Sequence, residues 1–156
     1  MKDIGKPERA TQDRVIGLFC DDLKYRYLGN WADQQGNSNI VESLLADQLR
    51  KSGYTDLQIS RATYLLRTEA DNPNRSLYEN NRIVYELLRY GVQVKTDVGN
   101  ITETVHLVNW NEPLKNDFGI AEEVTIKGGS ERRPDLVLYL NGIAIGVIEL
   151  KSSRVS

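Results

Sequence analysis

The sequence is poor in residues that staple or anchor a chain. It has a single cysteine, Cys20, so no disulfide framework can form within it. Cys20 ends the apolar run 15–20 with no basic cluster beside it. It reads as a small core residue, not a reactive thiol. There is one histidine, His106, and a lone imidazole cannot build a zinc centre. Its apolar neighbours predict a place in the core or on a sheet face. No stretch approaches the roughly 18 consecutive apolar residues of a membrane span. Residues 1–7 lack the apolar segment of a secretory signal, so a reducing cytoplasm is expected. There is no repeat, and no Gly-x-x-x-x-Gly-Lys-Ser/Thr phosphate loop, so ATP binding is not expected of this chain. An excess of positive charge is missing too. Twenty Lys+Arg against 22 Asp+Glu give a formal net charge of −2, whereas a free-standing nucleic-acid binder is usually basic. Only a local basic patch remains open.

What is present is an ordinary globular composition, 40% apolar and 27% charged over 156 residues. That is one domain's length, enough to bury about two thirds of the unfolded surface. The first half reads as helical. Pro7 suits a first helical turn, and Val15, Leu18, Phe19, Asp22 and Leu23 share one face. Residues 30–39 read as a loop, rich in Asn, Gly and Ser. Asn39 with Glu42 opens a second helix that Gly53 closes. Thr55 with Gln58 forms a capping box for a third. A fourth is expected to turn Leu77, Tyr78, Asn81, Val84, Tyr85 and Leu88 inward and to stop at Gly91. The period then becomes strand-like at 92–95, 104–108, 118–126, 135–140 and 143–150. The expected fold is α+β: one domain, 1–156, with a helical subregion 1–74 packed on a mostly antiparallel or mixed sheet within 75–156.

The chemistry concentrates in the last hairpin. Asp135 and Glu149 are separated by thirteen residues around Asn141-Gly142, the strongest short hairpin signal. Lys151 follows Glu149 at strand period two. Two carboxylates held together repel and need a cation, and oxygen ligands that leave room for water suit Mg²⁺. Two acids, a lysine and a divalent metal are the parts of a phosphodiester-hydrolysing site. Parity restricts the register. A strict two-residue turn with an unbroken ladder sets Asp135 opposite Ile148, on the face away from Glu149. A shared site therefore requires either a three-residue loop 140–142 with positive φ at Gly142, or a compensating bulge.

Pro134-Asp135 with Glu149-Leu150-Lys151 resembles the PD-(D/E)xK nuclease motif. The longer string 132–151, together with Tyr27-Leu28-Gly29-Asn30-Trp31, Leu77-Tyr78-Glu79-Asn80-Asn81, the segment 87–92 and Asn116-Asp117-Phe118, is similar to the N-terminal endonuclease domain of the type I restriction enzyme R subunit. The resemblance implies a restriction-endonuclease-like core and Mg²⁺-dependent cleavage of double-stranded DNA without sequence specificity of its own. Asp135 and Glu149 would be metal ligands and Lys151 the catalytic lysine. It also implies a larger subunit, with ATP-driven motor domains elsewhere and methyltransferase and specificity subunits as partners. In that family a helix with a Gln-x-x-x-Tyr motif follows the lysine. This chain stops at Ser156, so a fragment of weak or no activity is expected.

Other residues stay open. Glu79 or Glu86 on the fourth helix, and less so Glu42, are candidates for a helical acid of the site, each against a reading as cap or solvated charge. Asp117, Glu122 and Glu123 are candidates to support the metal site from the middle strand. Lys127, Arg132, Arg133 and Arg154, flanking Gly128-Gly129-Ser130, are candidate DNA contacts. Trp31 and Trp110 read as packing residues. The rival from another class is a non-catalytic, nuclease-like docking domain within the restriction complex.

Overall fold

A computed structural model of the chain describes residues 6–96, 101–126 and 131–151. The element order is α1 (Lys6–Gly17), running on as one π-helical turn (Leu18–Asp22), β1 (Arg26–Asn30), α2 (Glu42–Lys51), α3 (Asp56–Ala70), α4 (Leu77–Tyr90), β2 (Val92–Lys95), β3 (Thr102–Val105), a 3-10 turn (Pro113–Lys115), β4 (Phe118–Glu122), β5 (Leu136–Leu140) and β6 (Ile143–Ile148). The class is α+β, as expected. The chain forms two compact units, Met1–Asn39 with Asp117–Ser156, and Ile40–Asn116. The first unit brings α1 and β1, from the N-terminal region, together with β4, β5 and β6.

The first unit holds a mixed four-stranded sheet in the order β1-β4-β5-β6. β1 runs parallel to β4, while β4–β5 and β5–β6 are antiparallel. β1 corrects the expectation of helices followed only by a loop. It is an edge strand, largely exposed, and its Arg-Tyr-Leu-Gly-Asn sequence carries no period-two alternation. Its pairing slips between Tyr27 and Gly29. There the Leu28 side chain lies over Gly119, where a Cβ would meet Leu28 Cδ1 at 2.7 Å. The core is made by Trp31, Ile120, Val124, Leu136, Val137, Tyr139 and Ile143, all buried, with the Trp31 and Tyr139 rings 5.4 Å apart. The π-turn breaks the expected stripe on α1. Leu23 N–H bonds to Leu18 O at 3.1 Å, and this wider turn leaves Leu18 and Leu23 about half exposed. Phe19 packs edge-on against Tyr25, which leans on Phe118.

The second unit contains α2, α3, α4 and the β2–β3 ribbon, with α3 packed on both α2 and α4. Its core is Leu45, Leu49, Ile59, Ala62, Leu66, Val92, Val94, Val105 and Leu107. The Thr55–Gln58 capping box forms, and α4 has its own from Ser76 and Glu79. α4 is turned differently from expectation. Leu77, Tyr78 and Tyr85 are exposed, and the inward side is Asn80 with half-buried Ile83, Val84, Leu87 and Leu88. Asn80 is satisfied by Arg75 and the Asn72 carbonyl, so a polar residue occupies the buried stripe while tyrosines face out. His106 is exposed just past β3, its backbone N–H donating to Tyr54 Oη. It does not reach the core.

The last hairpin resolves the parity question. Leu140 faces Ile143, so Asn141-Gly142 is a two-residue turn, and the expected three-residue loop is not formed. Asn141 and Gly142 have φ of 52° and 81°, the pair of positive values a type I′ turn needs. The Asn141 amide and side-chain Oδ1 each bond to the Asp117 backbone at 2.7 Å. Farther along, the register slips by one between Leu138 and Tyr139, leaving Ile145 as the extra residue of a bulge. The compensating bulge is thus the route taken. As a result Ile143 and Val147, four residues apart, fall on opposite faces of the sheet.

Replacing Gly142 with Ala places a Cβ at φ 81°, which costs roughly 1–2 kcal/mol. Urea denaturation should show that loss with an unchanged slope. No loss would mean that the turn relaxes to another type.

Candidate functional site

Beyond the bulge the ladder runs Leu138–Gly146, Val137–Val147 and Leu136–Ile148. Continued by one pair, Asp135 stands level with Glu149. The strand proper ends at Ile148, and a side chain replaces the next ladder bond: Asp135 Oδ2 accepts from Leu150 N–H at 2.6 Å. On the other side, the Asp135 carbonyl accepts from Glu123 N–H at 2.9 Å. Asp135 is therefore pinned to both neighbouring segments. Pro134 before it is buried, Asp135 is half-buried, and Glu149 and Lys151 are exposed.

This donor set can be tested against a divalent cation. No group of three His, Cys, Asp or Glu able to hold a metal occurs among the described residues. Two carboxylates at one level of a hairpin are a sparse set. They suit an ion that is held by one or two carboxylates and keeps several waters, as Mg²⁺ does, and they do not suit a closed structural zinc site.

The neighbouring acids are used differently. Glu122 and Glu123 at the end of β4 are both buried. Glu122 accepts from Tyr27 Oη at 2.6 Å, Gln12 Nε2 at 2.8 Å and Arg9 Nη1 at 2.9 Å. Burial alone pushes the Glu122 carboxyl up, but the bonds from Tyr27, Arg9 and Gln12 outweigh it, and the net shift is below the ordinary range. Burial, then the bond to Glu122, pushes the Tyr27 phenol up to about 12, so it stays a donor. Glu123 pairs with Arg133 Nε at 3.0 Å. This network ties α1 to the sheet. Sequence reading missed Arg9, Gln12 and Tyr27. The available signal was Gln12 itself, a polar residue three before Val15 on the helix, which the structure buries to 1% exposure.

The remaining candidates are accounted for locally. Arg133 is committed to Glu123, and Arg132 is exposed beside the Ile126–Arg132 bridge. Lys127 and Arg154 lie outside the described residues. Asp117 sits at the turn end of the sheet, bonded to Arg26 at 2.6 and 3.1 Å, a strand's length from Asp135. Glu79 and Glu86 belong to the second unit. Glu79 closes the α4 capping box, where the Ser76 N–H and hydroxyl hold its carboxylate below the ordinary range. Glu86 pairs with Arg82 at 2.8 Å, and Glu42 with Arg67 at 2.9 Å. Cys20 is half-buried, its thiol pushed up by burial and by Asp21, which makes it a poor nucleophile. Trp31 packs in the core. Trp110 instead lies half exposed, with the Arg89 guanidinium 5.3 Å from its ring centre.

Fold and residues together define a mixed-sheet α+β protein with an Asp–Glu–Lys constellation at the open end of a hairpin. The description "type I restriction enzyme R protein N terminus" matches residues 6–156, and the chain belongs to that family. Two relatives come from Methanocaldococcus jannaschii. One, named a putative type I restriction enzyme MjaIXP endonuclease subunit, is 32% identical over 103 residues, covering 62% of this chain and 10% of the relative. The other, a putative MjaVIIIP endonuclease subunit, is 28% identical over 134 residues, covering 83% of this chain and 13% of the relative. The matched region thus spans little more than a tenth of these relatives' length. No helix among the described residues is long and apolar enough to cross a membrane.

Glu122 yields a pH prediction. Its folded value lies below its unfolded one, so its stabilisation is present above the ordinary carboxylate range and is lost as pH falls through the lowered value. Denaturation midpoints of the wild type should therefore drop more steeply than those of Glu122→Gln between about pH 5 and pH 3. Parallel curves would refute the assignment.

Proposed function

We propose that the chain is the DNA-cutting module of a type I restriction R subunit, hydrolysing phosphodiester bonds of double-stranded DNA with Mg²⁺. The observation that carries this reading is the bulged register that brings Asp135 level with Glu149, with the Asp135 carboxylate pinned by Leu150 N–H. Asp135 and Glu149 would hold the cation. When bound, Mg²⁺ neutralises charge on the scissile phosphate and lowers the pKa of an attacking water. Lys151, exposed two residues beyond Glu149, can donate hydrogen bonds to a phosphate oxygen or to the water. The pin on Asp135 fixes one carboxylate before any ligand arrives, which favours geometric precision over adaptation. Arg132, exposed beside the hairpin, can meet a backbone phosphate without reading a base. A module of this kind relies on other subunits for its target sequence. The specificity and methyltransferase subunits are the partners this reading implies, and the cytoplasm is its setting.

Within a full-length R subunit carrying this domain, Asp135→Ala, Glu149→Ala and Lys151→Ala should each abolish plasmid cleavage and leave ATP hydrolysis at the parental rate. A variant that still linearises plasmid at the parental rate would contradict the catalytic assignment. Loss of both activities would point instead to a docking role for the domain.

A further inference from the structure

Glu123 occupies an unusual position. Glu122 pairs with Leu136, so Glu123 comes level with Asp135, and its amide donates to the Asp135 carbonyl. Regular alternation would then set the Glu123 side chain on the face shared by Asp135 and Glu149. The backbone avoids this. Glu123 has φ +53°, a left-handed conformation that a non-glycine residue rarely adopts. Its carboxylate is carried instead into a buried pocket of partners: Gln12 Nε2 at 3.4 Å, which also bonds Glu122, and Arg133 Nε at 3.0 Å.

Arg133 is the consequential partner. It precedes Asp135 by two residues, and Pro134 biases it toward an extended conformation. Only Pro134 separates Arg133 from Asp135 along the chain, so a side chain as long as arginine's can span the gap between the two positions. A guanidinium there is within reach of the Asp135 carboxylate, and a forked Arg–carboxylate pair is a strong competitor for a carboxylate that must bind a cation. The Arg133 side chain is 26% exposed and that of Glu123 only 7%, so the charge is drawn inward.

We infer that Glu123 is a positioning residue, which sequesters the Arg133 guanidinium and so keeps the Asp135 carboxylate available to a divalent cation. This rests on the reading of Asp135 and Glu149 as cation ligands. Calorimetric titration of Mn²⁺ into the 156-residue chain tests it, with thermal melts confirming that each variant is folded. Glu123→Gln should weaken binding by about tenfold or more, the usual effect of losing a residue that supports a metal ligand. Removing the freed guanidinium as well, in Glu123→Gln with Arg133→Gln, should restore affinity to within about threefold of wild type, because the competitor is gone. A purely structural role predicts no such rescue. Wild-type affinity in Glu123→Gln, or a double variant as weak as the single one, would overturn the inference while leaving the cation site standing. Equal binding by wild type and Asp135→Ala would overturn both. If Glu123→Gln does not fold, the double variant carries the test: near-wild-type affinity supports the inference, and affinity as low as that of Asp135→Ala refutes it.

Discussion

One extra residue in β6 decides whether the two carboxylates of the hairpin can meet. Side chains alternate along a strand, so a slip of one moves every later residue to the other face. The tight Asn141-Gly142 turn alone would leave Asp135 and Glu149 back to back. The bulge at Ile145 spends one residue without a partner and thereby brings Asp135 and Glu149 to one level. β6 is the last strand of the sheet, and its other side makes only a local bond, from Ala144 N–H to Asn39 O at 2.8 Å, so the bulge disturbs no second ladder.

Beyond the last ladder pair, Leu136–Ile148, the surroundings hold Asp135 in place. The Leu150 amide takes the place of a ladder bond by donating to Asp135, so the hairpin closes on a side chain. At the next strand, left-handed Glu123 donates its amide to the same residue. The buried Glu122–Glu123 pair is kept from mutual repulsion by Arg9, Gln12, Tyr27 and Arg133, contributed by α1, β1 and the lead into β5. Buried charges of this kind persist only when paired and bonded. The first helix therefore belongs with the sheet, although a whole other unit, Ile40–Asn116, intervenes in sequence before β4, β5 and β6.

Much of this was legible. Capping boxes mark helix starts by local hydrogen bonds, and Thr55 with Gln58 behaves as it should. Asn141-Gly142 declares the hairpin because only such residues take two positive φ values cheaply. Parity even stated that a bulge or an odd loop was required. What the sequence could not reveal was which of the two. A bulge is chosen by tertiary fit, and Ile-Ala-Ile-Gly-Val-Ile alternates equally well in either register. β1 was hidden for a related reason: an exposed edge strand buries little and shows no period. On α4 the error came from counting tyrosines as inward, whereas Asn80, bonded to Arg75 and Asn72, occupies the buried side. The Glu122–Glu123 network joins residues more than a hundred positions apart, and no local spacing encodes such a contact.

Cation binding by this hairpin turns on whether Asp135 and Glu149 share one ion. Crystals of the chain soaked in Mn²⁺ and measured at the manganese absorption edge give the direct answer. The expected result is one anomalous peak bonded to an oxygen of each carboxylate at roughly 2.0–2.2 Å, with water completing an octahedron. A fully occupied peak elsewhere, or carboxylates that stay apart at saturating Mn²⁺, would contradict the claim.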